Sequence, residues 1–151
     1  MKIYYREKSG GIEILRCFGI EGRVEIPGMI DGKLVISAVP YAFSSHMDEK
    51  ENLKNASLWE VSDGLEFGRE EHVLAGNDVE EIVFPYTLKE IGRYIFYGCG
   101  NLKKLEFSDS LMQIGCGAFT GCHALEKLTV HMRQGKKSGV KEMLGEMWQR
   151  I

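Results

Sequence analysis

The chain is poor in proline and contains no long apolar run. Only 3 of its 151 residues are proline, against 18 glycines, which favours many tight corners over proline-rich linkers. Its uninterrupted apolar runs span only a few residues, far short of the ~20 needed for a membrane-spanning helix. With 44% hydrophobic and 27% charged residues, the composition predicts one globular domain with a core of its own.

The start of the sequence lacks the apolar segment of a secretory signal. Met1 and Lys2 are followed by Ile3 and two tyrosines and then by charged residues, which favours a cytoplasmic protein. A chain from which a signal had been removed would start in the same way, so secretion or the cell surface stays open as the alternative. In the cytoplasm the four cysteines are expected to be reduced thiols.

The charge is low and unevenly distributed. A net charge of −3 argues against a protein that binds nucleic acid by neutralising its phosphates. Residues 131–151 contain five Lys and Arg against two Asp and Glu. The C-terminal segment is therefore basic, while the rest of the chain is acidic.

Residues 79–130 contain one apolar pattern twice, at a spacing of 23 residues, and the start of a third copy. The first copy consists of Val79, Ile82, Phe84, Leu88, Ile91, Ile95, Phe96 and Cys99. The second consists of Leu102, Leu105, Phe107, Leu111, Ile114, Ala118, Phe119 and Cys122. A fixed period of about 20 to 30 residues is typical of solenoids, in which each turn buries its apolar ridge against the next. We therefore predict an α/β solenoid with a short parallel strand in each coil.

The pattern extends towards the N-terminus with lower fidelity. Residues 59–65 are similar to residues 105–111, and we interpret 56–78 as a degenerate coil. Residues 24–27 match 82–85, which predicts a first coil that the turn at 31–33 lengthens. The single domain, 1–151, is thus divided into a cap at 1–21, about four coils at 22–130 with a polar, solvent-exposed excursion at 44–55, and a helix at 138–151.

Different elements are predicted to close the two ends. Residues 3–5 and 12–15 flank a glycine-containing turn, which predicts a β-hairpin over the first coil. Residues 139–151 change to the helical period, with an apolar side and a charged side, and Ser138 is a suitable N-cap. We expect this helix to cover the last coil; the alternative is that it is offered to a partner or to a membrane surface.

No group of residues has the spacing of a catalytic or metal site. Cys116, Cys122 and His123 do not match the Cys-x2–4-Cys pairs of structural zinc sites. Cys99 and Cys122 share one repeat position, which predicts a ladder of small buried side chains. The four histidines are not near a recognisable nucleophile. No catalytic residue, metal or cofactor is predicted, and an enzyme is the least favoured class.

An exposed strand face is the feature that remains for function. Outward positions of successive strands align across a solenoid sheet. One column is predicted to hold Glu60, Val83, Glu106 and Thr129, and the neighbouring column Glu81, Lys104 and Lys127. Tyr86, just beyond a strand end, is a candidate aromatic anchor. We predict that these residues form a protein-binding face.

The repeat resembles the BspA-type leucine-rich repeats of bacterial surface and host-interaction proteins. Phe84-Pro85, Ile91-Gly92, Gly98-Cys99, Ala118-Phe119 and Gly121-Cys122 carry the resemblance. It implies a right-handed leucine-rich repeat solenoid that binds protein partners rather than catalysing a reaction. The alternative is a structural or self-associating unit, a weak homo-oligomer that uses the sheet edge or the C-terminal helix.

Overall fold

The computed structural model of the chain describes residues 1–62 and 69–132. These residues form twelve strands, with regular helix limited to α1 (Glu49–Asn52) and a 3-10 turn at Gly76–Asp78. The strands are β1 (Lys2–Lys8), β2 (Gly11–Gly19), β3 (Arg23–Glu25), β4 (Met29–Ile30), β5 (Lys33–Ala38), β6 (Ser57–Glu60), β7 (His72–Val73), β8 (Glu81–Val83), β9 (Glu90–Ile91), β10 (Lys104–Ser108), β11 (Gln113–Ile114) and β12 (Lys127–His131).

This part of the chain is a β-solenoid with a leucine-rich repeat fold, which corrects the predicted α/β class. The segments that link successive strands are short turns, and glycines with positive φ interrupt them, at +77° in Gly98 and +85° in Gly121. Such a turn cannot continue as a helix, since only the left-handed conformation fits there. The predicted helix at 138–151 lies outside the residues that the structure describes.

Four parallel strands form the sheet that the repeat predicts. Their order is β12-β10-β8-β3, and Leu105 pairs in register with Ile82 on one side and Leu128 on the other. Val24 of the first coil pairs with Ile82. Val24, Ile82 and Leu105 are fully buried, so the alternation along each strand directs one side chain into the core and the next outward.

The second sheet starts from the N-terminal hairpin. Its order is β11-β9-β5-β2-β1-β6, with β4 paired to β5 and β7 to β2. β1 and β2 are antiparallel around Ser9 and Gly10, whose φ values of 52° and 81° match the two-residue turn that suits strand twist. The predicted hairpin is thus present, and β2 joins the coils by pairing in parallel with β5.

Residues 56–62 and 69–78 do not form the predicted coil. β3 pairs directly with β8, so the chain between them adds no strand to the four-stranded sheet. β6 instead pairs antiparallel with β1, and β7 with β2. A local apolar alternation specifies a strand but not its neighbour, and the free edge of the hairpin accepts β6.

One phenylalanine from each coil builds the interior. The rings of Phe43 and Phe96 are 6.1 Å apart and those of Phe96 and Phe119 5.6 Å, and all three are buried. The coils approach closely beside them, because a Cβ on Gly115 would lie 2.1 Å from the backbone nitrogen of Arg93. Glycine is therefore required at that repeat position.

The excursion at 44–55 is tied to the hairpin by a buried arginine. Arg16 is 2% exposed, and its Nη1 donates to the carbonyls of Tyr41, Ala42 and Ser44 at 3.2, 3.2 and 2.7 Å. Its Nε donates to the Glu49 carboxylate at 2.9 Å. α1 itself buries no residue, as expected of a polar excursion, but Glu49 supplies the counter-charge.

Candidate strand-face binding site

The outward side chains of the four-stranded sheet form two rows. The first row runs Arg23, Glu81, Lys104 and Lys127, and the second Glu25, Val83, Glu106 and Thr129. We call these eight residues the strand face. Six of them are the predicted residues Glu81, Val83, Lys104, Glu106, Lys127 and Thr129, and the structure brings them together in the predicted columns.

Glu60 does not lie on the strand face. It belongs to β6 in the other sheet, where its carboxylate is 3.8 Å from the ammonium of Lys2. Glu25 occupies the position next to Val83 instead. The similarity between residues 24–27 and 82–85 already aligned Glu25 with Val83. Glu60 was predicted at that position because residues 56–78 were interpreted as a coil between these two segments.

Tyr86 lies beside the strand face, beyond the end of β8. Its side chain is 77% exposed, while its carbonyl accepts a hydrogen bond from Ser108 Oγ at 3.2 Å. A fixed backbone beneath an exposed ring suits an anchor, because little conformational entropy is lost on binding. Its placement is compatible with the predicted role.

Charges on the strand face are paired at one end. Arg23 contacts Glu25 at 3.1 Å and Glu81 at 3.5 Å, and the hydrogen bond to Glu25 is the main cause of the raised pKa of Arg23. Glu106 faces His131, with 3.2 Å between the carboxylate and Nε2. Val83, half-buried between these groups, adds an apolar centre to the face.

A tyrosine cluster on the turns was missed by the sequence reasoning. Tyr41 and Tyr94 have φ values of 61° and 51° at the repeat position where Gly117 has 67°. Their rings stack at 5.6 Å, and Tyr97 packs edge-on at 5.7 Å from Tyr94. Tyrosine at a position that favours glycine was the available signal, but the 53-residue offset from Tyr41 to Tyr94 obscured it.

The cysteine ladder is confirmed. Cys99 Sγ donates to the carbonyl of Phe43 at 3.1 Å, and Cys122 Sγ to that of Phe96 at 3.3 Å. Burial raises the pKa of both thiols to about 12, so neither supplies a thiolate near neutral pH. All four cysteines are free, and no three His, Cys, Asp or Glu side chains in residues 1–62 and 69–132 could together hold a metal.

The repeat region matches a known family. Residues 70–139 fit the family model described as a BspA type leucine rich repeat region (6 copies). This segment is a BspA-type leucine-rich repeat region. The resemblance predicted from the sequence is thereby confirmed over that range. No curated protein matches the chain in sequence.

Two solved structures of bacterial leucine-rich repeat proteins, with TM-scores above 0.5, share the fold. A leucine rich cell surface protein from Faecalibacterium prausnitzii A2-165 has a TM-score of 0.56 at 19% identity, over 85% of this chain and 30% of that one. A leucine-rich repeat protein from Bacteroides capillosus ATCC 29799 has a TM-score of 0.54 at 16% identity, over 86% of this chain and 94% of that one. A T. pallidum leucine rich repeat protein has a TM-score of 0.47 at 14% identity, over 96% of this chain and 92% of that one.

The chain spans 30% of the length of the F. prausnitzii protein. Across residues 1–62 and 69–132, no helix has the length and apolar character that a membrane span requires.

Proposed function

We propose that the chain is a non-enzymatic interaction module that binds a protein partner through the strand face. The observation that carries the proposal is the pair of aligned rows across β3, β8, β10 and β12. They combine ion-paired charges with the half-buried Val83 and the exposed ring of Tyr86. A polar rim around an apolar and aromatic centre is typical of protein interfaces.

Family and fold support binding more than catalysis. BspA-type repeats generally belong to interaction or surface proteins, and the F. prausnitzii structure is of a cell surface protein. Burial of the Cys99 and Cys122 thiols and the ion pairs of Glu25 and Glu81 also support binding over catalysis. A place at the cell surface is consistent with this function and belongs to the proposal.

Peptide display with a blocked face tests this function. Peptides from a random 12-residue library on phage are selected on the wild-type protein and measured against V83R/T129R, which puts two arginines into the second row. The control, L34R/M112R, adds the same charge at side chains that are 47% and 73% exposed outside the strand face. We expect V83R/T129R to weaken the selected peptides at least about tenfold and the control to leave them unchanged; equal loss in both would contradict the proposal.

Self-association is the second candidate, and the edge strand β6 favours it. β6 pairs with β1 on one side only within the described part of the chain, and Leu58 on it is 44% exposed. An exposed edge can pair with another copy. Light scattering decides between the two: a mass of 17.1 kDa at every concentration removes this candidate, whereas a dimer that L58K dissociates would support it.

A further inference from the structure

Two lysines lie side by side at one end of the strand face. Lys104 of β10 and Lys127 of β12 are partners in the parallel register, and both are exposed. Backbones of neighbouring strands are about 4.8 Å apart, so the two lysine side chains leave the sheet side by side. Like charges directly opposite in a sheet are destabilising, so this pairing costs free energy in the unbound protein.

The nearest acids are engaged elsewhere. Glu81, next to Lys104 in the row, contacts Arg23 at 3.5 Å. Glu106, two residues along β10, is directed towards His131 at 3.2 Å. Neither lysine forms an ion pair with any carboxylate among residues 1–62 and 69–132. Within the described part of the chain, the two lysines are therefore without an ion pair although carboxylates lie on both sides of them.

The charge of the strand face is consequently asymmetric. On β3 and β8, the single cation Arg23 contacts two carboxylates, those of Glu25 and Glu81. On β10 and β12, two lysines lie beside one carboxylate of the face, that of Glu106. Complementarity at this end requires negative charge from the partner.

We infer that the partner presents a short acidic peptide segment, whose Asp or Glu carboxylates lie over Lys104 and Lys127. The inference rests on the proposed function and adds the chemistry of the partner and its orientation. A protein segment fits better than a nucleic acid, because a peptide can confine its carboxylates to the lysines and place uncharged side chains elsewhere. A continuous phosphate backbone would also lie against Glu25, Glu81 and Glu106. Val83 and Thr129 can contact the uncharged side chains of a peptide beside its carboxylates.

The test uses defined probes and fluorescence anisotropy. The probes are a fluorescein-labelled ten-residue peptide of alternating Glu and Thr, the same peptide with Lys in place of Glu, and a ten-residue oligothymidylate. The proteins are the wild type, K104E/K127E, the conservative K104R/K127R and the control K50E/K54E. The control changes net charge by the same amount at two exposed lysines on and just after α1.

We expect the wild type to bind the Glu peptide about tenfold or more tightly than the Lys peptide. K104E/K127E should reverse this preference, while K104R/K127R and K50E/K54E should retain it. Added salt should weaken the Glu complex, since exposed charge pairs are screened.

Three results would overturn the inference: undetectable binding of the Glu peptide, equal affinities for wild type and K104E/K127E, or tighter binding of the oligothymidylate. Failure of the inference is distinguishable from failure of the proposed function. If display peptides depend on Val83 and Thr129 but not on the lysines, the face binds a partner of other chemistry. If no display peptide depends on Val83 and Thr129, the strand face is not the binding site and the proposed function fails.

Discussion

The coils at 79–131 and the N-terminal part of the chain use different hydrogen-bond donors for equivalent turn carbonyls. In the coils, a turn carbonyl accepts a hydrogen bond from the preceding coil: Ala118 accepts from Phe96 N–H at 3.1 Å. The first coil has no coil before it, and Ala42, the equivalent of Ala118, accepts from Arg16 Nη1 at 3.2 Å. One guanidinium thus substitutes for the N–H groups of a missing coil.

This difference explains why a charge is buried in the N-terminal part. A solenoid end leaves turn carbonyls without partners, and an unpaired buried polar group costs free energy. Arg16 supplies the donor for one such carbonyl, that of Ala42, and its charge is balanced by Glu49. It adds a second hydrogen bond to the carbonyls of Tyr41 and Ser44, which also accept from backbone N–H groups. The coils satisfy their turn carbonyls by repetition, whereas the N-terminal part uses one side chain, that of Arg16, at this position.

The largest expected effect comes from removing that side chain. Arg16→Met keeps much of the volume but removes the donor to the buried Ala42 carbonyl, the second hydrogen bonds of the Tyr41 and Ser44 carbonyls and the counter-charge of Glu49. We expect a loss of about 4 kcal/mol in the free energy of unfolding. Urea unfolding measures it. Arg69→Met is the matched control, because Arg69 is 53% exposed in its pair with Glu21; it should cost less than about 1 kcal/mol. Similar losses in both variants would show that Arg16 does not cap the coil.

A glycine substitution in the coils should have the next largest effect. Gly115→Ala places a Cβ 2.1 Å from Arg93 nitrogen, so two coils must separate, at a cost of about 3 kcal/mol. At Gly28, in the first coil, the nearest atom would be Pro85 Cβ at 3.6 Å, which is ordinary contact. Gly28→Ala should therefore change stability by less than about 1 kcal/mol. Thermal unfolding of the two variants compares the sites, and equal shifts would argue against close stacking of the coils.

The buried thiols should make stability depend on pH, with a smaller effect for each group. Burial raises the pKa of Cys17, Cys99 and Cys122 from 9.0 to about 12. The unfolded state therefore loses these protons first, and stability is retained below pH 9 and falls between pH 9 and 12. The slope is up to about 1.4 kcal/mol per pH unit and thiol.

Urea unfolding at pH 8 and pH 10, for the wild type and for C99A/C122A, isolates this contribution because other titrations are common to both. The variant should lose less stability on going to pH 10. The same fall in both proteins would mean that the ladder thiols do not titrate as buried groups. At pH 8 a thiol reagent should label the exposed Cys116 before the others.

The regular coils could be predicted from the sequence because their information is local and repeated. Ile82 and Leu105 recur at the same offset as Phe84 and Phe107, so the pattern specifies both the strands and their neighbours. Cys99 and Cys122 could be recognised as core for the same reason. The columns of the strand face followed from this register.

The N-terminal part could not be predicted in the same way, because it depends on contacts between distant segments that occur once. Trp59 has the local pattern of a coil strand, yet it pairs with Ile3. Arg16 lies within an apolar strand, and its three carbonyl partners are 25 to 28 residues away. A repeat pattern cannot predict contacts that occur only once. Glu60 was therefore predicted on the strand face, although its strand pairs with β1.

The two regions also differ in the surfaces they offer. The strand face combines two lysines that are not ion-paired within the described residues with the half-buried Val83. The turn surface of Tyr41, Tyr94 and Tyr97 is instead packed ring against ring, at 5.6 to 6.5 Å. Rings that already contact one another have less surface left for van der Waals contacts with a partner. Partner binding is therefore expected on the strand face.

Chemical-shift mapping of a display-selected peptide on the 15N-labelled wild-type protein most directly tests whether the partner binds at the strand face. The account predicts the largest amide shifts in β8, β10 and β12 and at Tyr86, with residues 1–19 and the turn carrying Tyr41 and Tyr94 unaffected. The largest shifts at the tyrosine cluster or in the hairpin, with the three strands unchanged, would contradict it.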